Sequence, residues 1–151
     1  MKYEIVELEE KMVVGVSIRT SNQNGKAIQD IGLAWQKLFQ KGNYDQIPNK
    51  VNGKTIGLYT DYEGDYTKPY RFFAGVEVRK KSENRESAII PKGKYAKFHI
   101  IGDVQNSVGQ AWQEIWGMNL KRTYRGDFEE YQNNTEDMTK QEIDIYIGVE
   151  G

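Results

Sequence analysis

DFEEY at residues 127–131 and EIDIYIGV at residues 142–149 are the stretches that decide how this chain folds. In the second stretch, three isoleucines and a valine alternate with Asp144, Tyr146 and Gly148. Because strand side chains alternate between two faces, this period of two predicts a half-buried strand with one apolar face. In the first stretch, Asp127, Glu129 and Tyr131 share a face. If the two strands pair, a carboxylate and two tyrosines converge, which suits a cationic, aromatic guest.

Composition indicates one globular domain. The 151 residues are 28% charged and 38% hydrophobic, which is typical of a soluble fold with a sizeable core. The net charge of −1 gives no basic footprint for direct nucleic-acid binding. The apolar runs are too short to span a membrane, and the first residues lack the apolar core of a signal peptide. We therefore expect a cytoplasmic protein.

The residue types that carry metal, thiol and phosphate chemistry are scarce. The chain has no cysteine, which excludes disulfides, thiol catalysis and thiolate metal sites. His99 is the single histidine, so no histidine-based metal site or catalytic triad can be drawn. No glycine-rich stretch has the spacing of a phosphate-binding loop. The sequence therefore predicts no metal and no cofactor.

The chain divides into two similar modules, about 1–80 and 90–151, within a single domain. Each reads as strand, helix, strand, strand, with the charged segment 80–86 as connector. Asn24 is the expected N-cap of the first helix, and Asp103 and Gly117 the expected ends of the second. The repeat is one of pattern rather than of residue identity. The pattern predicts an α+β fold of two pseudo-symmetric modules with antiparallel sheets and a ligand cleft between them.

Strand alternation also predicts which side chains line that cleft. In the third strand, Ile56 and Leu58 are expected to face the helix and Tyr59 the opposite side. By the same logic, four aromatic residues should surround one cleft: Tyr59, Phe73, Tyr131 and Tyr146. Trp116, at the end of the second helix, could reach the rim. The alternative is that the aromatics are cross-strand pairs on an exposed sheet face.

Four stretches together resemble the gyrase-inhibitor-like (GyrI-like) effector-binding domain of bacterial multidrug-responsive transcription regulators. They are GLYTDYE at 57–63, FAGVEV at 73–78, IPKGKYAKF at 90–98, and DFEEY at 127–131 with IDIYI at 143–147. The resemblance implies a ligand cavity between two pseudo-symmetric modules and a functional glutamate. By its place in a phenylalanine-glutamate-x-tyrosine motif, that glutamate is Glu129. The chain departs from the family at Gly148, where the family's final strand usually has a proline.

The resemblance implies a stand-alone effector-binding protein that takes small hydrophobic, cationic or aromatic compounds and is linked to transcriptional regulation or drug sensing. The expected ligand-binding residues are Glu129, Tyr146, Tyr131, Tyr59, Phe73 and Trp116. One alternative is a hydrolase of reactive small molecules, with Glu129 and Tyr146 as the catalytic pair. Another is a protein-directed role, with a regulatory protein or DNA gyrase as partner. Binding without catalysis is the favoured interpretation.

Overall fold

A computed structural model describes residues 1–151, which form eight strands and two α-helices. The first module contains strands β1 (Glu4–Leu8) and β2 (Lys11–Thr20), helix α1 (Lys26–Phe39), and strands β3 (Thr55–Thr60) and β4 (Tyr70–Val78). The second contains β5 (Glu86–Ile90), β6 (Gly93–Gly102), α2 (Val104–Trp116), β7 (Arg122–Tyr131) and β8 (Gln141–Val149). The α+β prediction is confirmed. Neither helix is long and apolar enough to cross a membrane.

All eight strands form one antiparallel sheet in the order β1-β6-β8-β7-β3-β4-β2-β5. This order reads the same from either end once each strand is replaced by its counterpart in the other module, so the sheet has pseudo-two-fold symmetry about the β3–β7 pair. The edge strands are exchanged between modules, because β1 pairs with β6 and β5 pairs with β2. Strand β5 was not predicted, since its residues directly follow the charged connector.

Both helices lie on the same face of the sheet. Helix α1 packs over Phe72, Ala74 and Val76 of β4, and α2 packs over the alternating isoleucines of β8. The opposite face carries a third buried cluster: Val13, Ile56, Leu58, Phe73, Ile90, Tyr95, Phe128 and Tyr146. Both faces of the central strands are therefore buried.

The predicted orientation of β3 is wrong. Tyr59 packs with the helix-side clusters, whereas Ile56 and Leu58 belong to the cluster on the opposite face. The prediction assumed that the apolar side of each strand faces a helix. That assumption holds for β4 and β8, but β3 and β7 lie at the centre, where the helix-side face lines a gap between the two helices.

The helix ends agree with expectation in the second module only. The Asp103 side chain accepts a hydrogen bond from the Asn106 backbone N–H at 3.3 Å, and Gly117 is the C-cap. Asn24 does not cap α1. It adopts a left-handed conformation within a short 3₁₀ turn, and Gly25, also left-handed, precedes the helix without a side-chain cap.

The two helices repeat at the level of residue identity, which corrects the expectation of a repeat in pattern alone. Residues 31–39 read IGLAWQKLF and residues 108–116 read VGQAWQEIW. Glycine, alanine, tryptophan and glutamine recur in the same order and spacing. Trp35 and Trp112 are therefore counterparts, as are Gly32 and Gly109.

Candidate functional site

A cavity of about 640 Å³ lies between the two helices, on the helix side of the sheet. Thirteen of its twenty lining residues are hydrophobic. The aromatic members come from both helices, from β3, β4 and β7, and from the loop after β3: Trp35, Tyr59, Tyr62, Tyr66, Tyr70, Trp112, Trp116 and Tyr131. The volume suits a drug-sized organic molecule.

Glu129 is the acidic residue of this cavity, and it is 1% exposed. Its Oε2 accepts hydrogen bonds from the Tyr59 hydroxyl at 2.8 Å and from the Trp112 indole N–H at 2.6 Å. Its Oε1 accepts one from the Tyr131 hydroxyl at 2.7 Å. All three donors are neutral, so the carboxylate is held in place without a neighbouring cation.

Burial sets the electrostatics of this cluster. It raises the pKa of Glu129 above its ordinary value, while the hydrogen bonds from Trp112, Tyr131 and Tyr59 oppose that rise. The pKa values of Tyr59 and Tyr131 are raised well above the usual value, first by burial and then by the charge of Glu129. Both tyrosines therefore stay protonated and act as donors over the physiological pH range.

The pseudo-symmetry explains how a single carboxylate fits at the centre. Gly57 of β3 lies opposite Glu129 of β7 in the sheet. A Cβ at position 57 would lie 2.9 Å from Glu129 Oε1 and 3.1 Å from carbons of the Phe72 ring. Glycine at this position leaves the space that the carboxylate occupies.

Arg122 lines the cavity and belongs to a buried ion pair. Arg122 Nη2 lies 2.7 Å from Asp127 Oδ2, and their side chains are 5% and 0% exposed. Asp127 also accepts hydrogen bonds from the Tyr62 hydroxyl and the Gly148 backbone N–H, at 2.6 and 2.8 Å. The Arg122 guanidinium lies over the Tyr124 ring at 4.3 Å. Because Arg122 already has its own carboxylate, it leaves Glu129 without a cationic partner.

One end of the cavity is bridged by an aromatic stack between modules. The rings of Tyr66 and Trp116 lie 5.3 Å apart and 6° from parallel. Tyr66 belongs to the β3–β4 loop, which is held to the segment before α1 by a hydrogen bond from the Asn22 side chain to the Tyr66 carbonyl. Trp116 is one of the residues that line the cavity.

The structure brings four of the six predicted ligand-binding residues together and separates two. Glu129, Tyr131, Tyr59 and Trp116 line the cavity. Phe73 and Tyr146 lie on the other face of the sheet, so the prediction that they share this cavity is wrong. The physical reason is the register: Glu129 pairs with Ile145, and Phe128 pairs with Tyr146, so Tyr146 stacks on Phe128 at 4.4 Å.

This separation also bears on catalysis. Glu129 and Tyr146 lie on opposite faces of the sheet, so they cannot act together on one substrate, and the catalytic pair of the hydrolase alternative is wrong. The tyrosines that reach Glu129 are Tyr59 and Tyr131.

Sequence reasoning missed the role of Trp112. The place of Trp112 on the apolar stripe of α2 by itself indicates only a core position. Trp112 is buried there, yet its indole N–H donates to Glu129. The repeated Ala-Trp-Gln of the two helices was the available signal, since a tryptophan kept in both modules points to a shared position at the cavity.

An aromatic cavity around a buried carboxylate, on a pseudo-symmetric α+β scaffold, defines a small-molecule-binding protein. Residues 4–149 match the family described as Cass2, integron-associated effector binding protein, and the chain belongs to that family. The Bacillus subtilis (strain 168) protein YobU, whose name gives it as a candidate transcriptional regulator, is 28% identical over 153 residues, 96% of each chain.

Two solved structures show the same fold. An integron cassette protein from the Vibrio cholerae mobile metagenome is 26% identical, with a TM-score of 0.78, covering 98% of this chain and 95% of its own. SAV2435, solved with bound tetraphenylphosphonium, is 23% identical, with a TM-score of 0.80, covering 100% of this chain and 95% of its own. The resemblance to effector-binding domains is confirmed.

Proposed function

We propose that this protein binds hydrophobic organic cations with aromatic groups in the cavity between its helices, and that Glu129 supplies the charge selectivity. The observation that carries the proposal is a carboxylate, 1% exposed, bonded only to neutral donors inside an aromatic cavity. SAV2435, which shares the fold, was solved with such a cation.

The electrostatics of the cavity favour a cationic ligand. An ionised carboxylate in a desolvated cavity lacks the hydration that it has in water, and a bound cation restores a favourable interaction. Aromatic faces add cation–π attraction, each contact contributing about 0.5–2 kcal/mol. A neutral ligand of the same shape gains only the apolar and aromatic contacts.

The proposed role is that of an effector-binding protein in transcriptional regulation or drug sensing. The description of the family and the name of the Bacillus subtilis relative support this role. A regulatory protein would then be the downstream partner.

Calorimetric titration with tetraphenylphosphonium tests the ligand class. We expect Glu129→Gln to keep the fold and to weaken binding by about 1–3 kcal/mol, the range for losing a charge-assisted contact. Triphenylphosphine oxide, a neutral compound of similar shape, should lose much less binding free energy in the same variant.

Glu130→Gln is the matched control. Glu130 is adjacent in sequence but faces the other side of the sheet, where it lies 3.6 Å from Lys54 Nζ. It should leave both affinities unchanged. Equal weakening of the cation and the neutral compound by Glu129→Gln would mean that Glu129 contributes shape rather than charge.

A further inference from the structure

The two helical walls of the cavity are built from equivalent residues. Five residues of α1 line the cavity, and each has its counterpart of α2 in the lining: Ala27, Ile28, Ile31, Gly32 and Trp35, with Val104, Gln105, Val108, Gly109 and Trp112. The β strands add another equivalent pair, Tyr59 and Tyr131, which both donate to Glu129. The cavity therefore has pseudo-two-fold symmetry, with a single carboxylate near its axis.

Gly32 and Gly109 are unusual residues in the two helical walls. Both lie inside helices, where glycine is less favourable than alanine. Neither has a positive φ, so the backbone does not require glycine. A Cβ at either position would meet no atom within 4 Å. Neither folding nor packing accounts for them, and both line the cavity.

We propose that Gly32 and Gly109 are specificity-determining residues that set the thickness of the ligand between the helices. Their missing side chains leave matched gaps in the two helical walls of the cavity that Glu129 also lines. The ligand class that fits is a cation with its charge at the centre and bulky aromatic arms on both sides. This inference rests on the proposed cation-binding function and adds the size limit to it.

The test is to fill each gap and compare a thick ligand with a thin one. The variants are Gly32→Leu and Gly109→Leu, and the probes are tetraphenylphosphonium and benzyltrimethylammonium. Each leucine should weaken the binding of tetraphenylphosphonium at least about tenfold, because the leucine side chain occupies space that the aromatic arms need. The thin cation, which needs neither gap, should change less than about threefold.

Two further sets of variants separate this effect from damage to the fold. Gln110→Leu places the same leucine side chain beside Gly109 at an exposed position outside the cavity lining, and it should leave both affinities unchanged. Gly32→Ala and Gly109→Ala should raise the unfolding temperature, because alanine favours the helix, while still weakening the thick cation more than the thin one. A variant that is more stable but binds the thick ligand less cannot be explained by unfolding.

The outcomes distinguish the size limit from the charge selectivity. If the leucine variants discriminate by ligand thickness but Glu129→Gln has no effect on the cation, the size limit stands and the charge selectivity fails. If Glu129→Gln weakens the cation and the leucine variants weaken both probes equally, or neither, the size limit is overturned. Failure of the wild-type protein to bind either probe would overturn both.

Discussion

Replacing Gly57 by alanine tests whether the packing around Glu129 is as tight as the structure indicates. The new Cβ would lie 2.9 Å from Glu129 Oε1 and 3.1 Å from the Phe72 ring, so the carboxylate must move away. That oxygen accepts the hydrogen bond from Tyr131 at 2.7 Å, which the movement would lengthen. The substitution therefore perturbs the site through a single methyl group.

The expected cost follows from three contributions. Overpacking costs about 1–3 kcal/mol, and weakening a hydrogen bond to a charged group adds up to about 1.5–3 kcal/mol. Alanine offsets about 0.4–1 kcal/mol of this destabilisation, because it lowers the conformational entropy of the unfolded chain. We expect a net destabilisation of about 2 kcal/mol in urea denaturation, equivalent to a fall of about 4–8 °C in Tm for a chain of this size.

A double-mutant cycle identifies the source of that cost. In a Glu129→Ala background the carboxylate is absent, so Gly57→Ala should cost less than about 1 kcal/mol. Gly53→Ala is the control, because a Cβ at position 53 meets no atom within 4 Å. It should destabilise the protein by less than about 0.5 kcal/mol. The same cost for Gly57→Ala in both backgrounds would refute the reasoning and assign the strain to Phe72 or the backbone.

The charges and the sheet faces lead to four other predictions. Cation affinity should fall on acidification at a higher pH than for an ordinary glutamate, because burial raises the pKa of Glu129 and protonation removes its charge; titration over a pH series measures this. Because the folded pKa of Glu129 is raised, this residue contributes to the free energy of unfolding below its unfolded pKa of about 4.3, and the contribution is lost as pH rises through the folded pKa. Glu129→Gln should therefore make the free energy of unfolding, measured by denaturation, decline less over this pH range. Asp127→Asn should lower the unfolding free energy by about 3–5 kcal/mol, since it leaves the buried Arg122 without its counter-charge. Tyr146→Phe should leave cation affinity within about twofold, because Tyr146 lies on the far face; a loss as large as that of Glu129→Gln would contradict the face assignment.

Periodicity predicted most elements of this fold because strands that pack directly under a helix, such as β4 and β8, obey its assumptions. The alternating isoleucines of β8 face α2, and Phe72, Ala74 and Val76 of β4 face α1, as expected. The exchange of β1 and β5 between modules could not be predicted, since pairing across the domain leaves no mark on local alternation. Strand β5 was also hidden by the charged residues before it.

The site was predicted in part, for a physical reason that separates Tyr131 from Tyr146. Glu129 and Tyr131 are two residues apart on one strand, so they share a face whatever the pairing. Placing Tyr146 beside them required the register between β7 and β8, which pairs Glu129 with Ile145 instead. Because the side-chain period is two, an error of one residue moves a side chain to the opposite face.

The features that are hardest to explain by stability are concentrated at the cavity. A carboxylate that is 1% exposed and has only neutral partners works against folding, and so do two glycines inside helices. The ion pair of Arg122 and Asp127 shows that this fold can neutralise a buried acid when it has an adjacent cation. Glu129 has none, so its charge remains available to a ligand. These three costs lie around one aromatic cavity, which supports the proposal that the cavity binds a bulky cation.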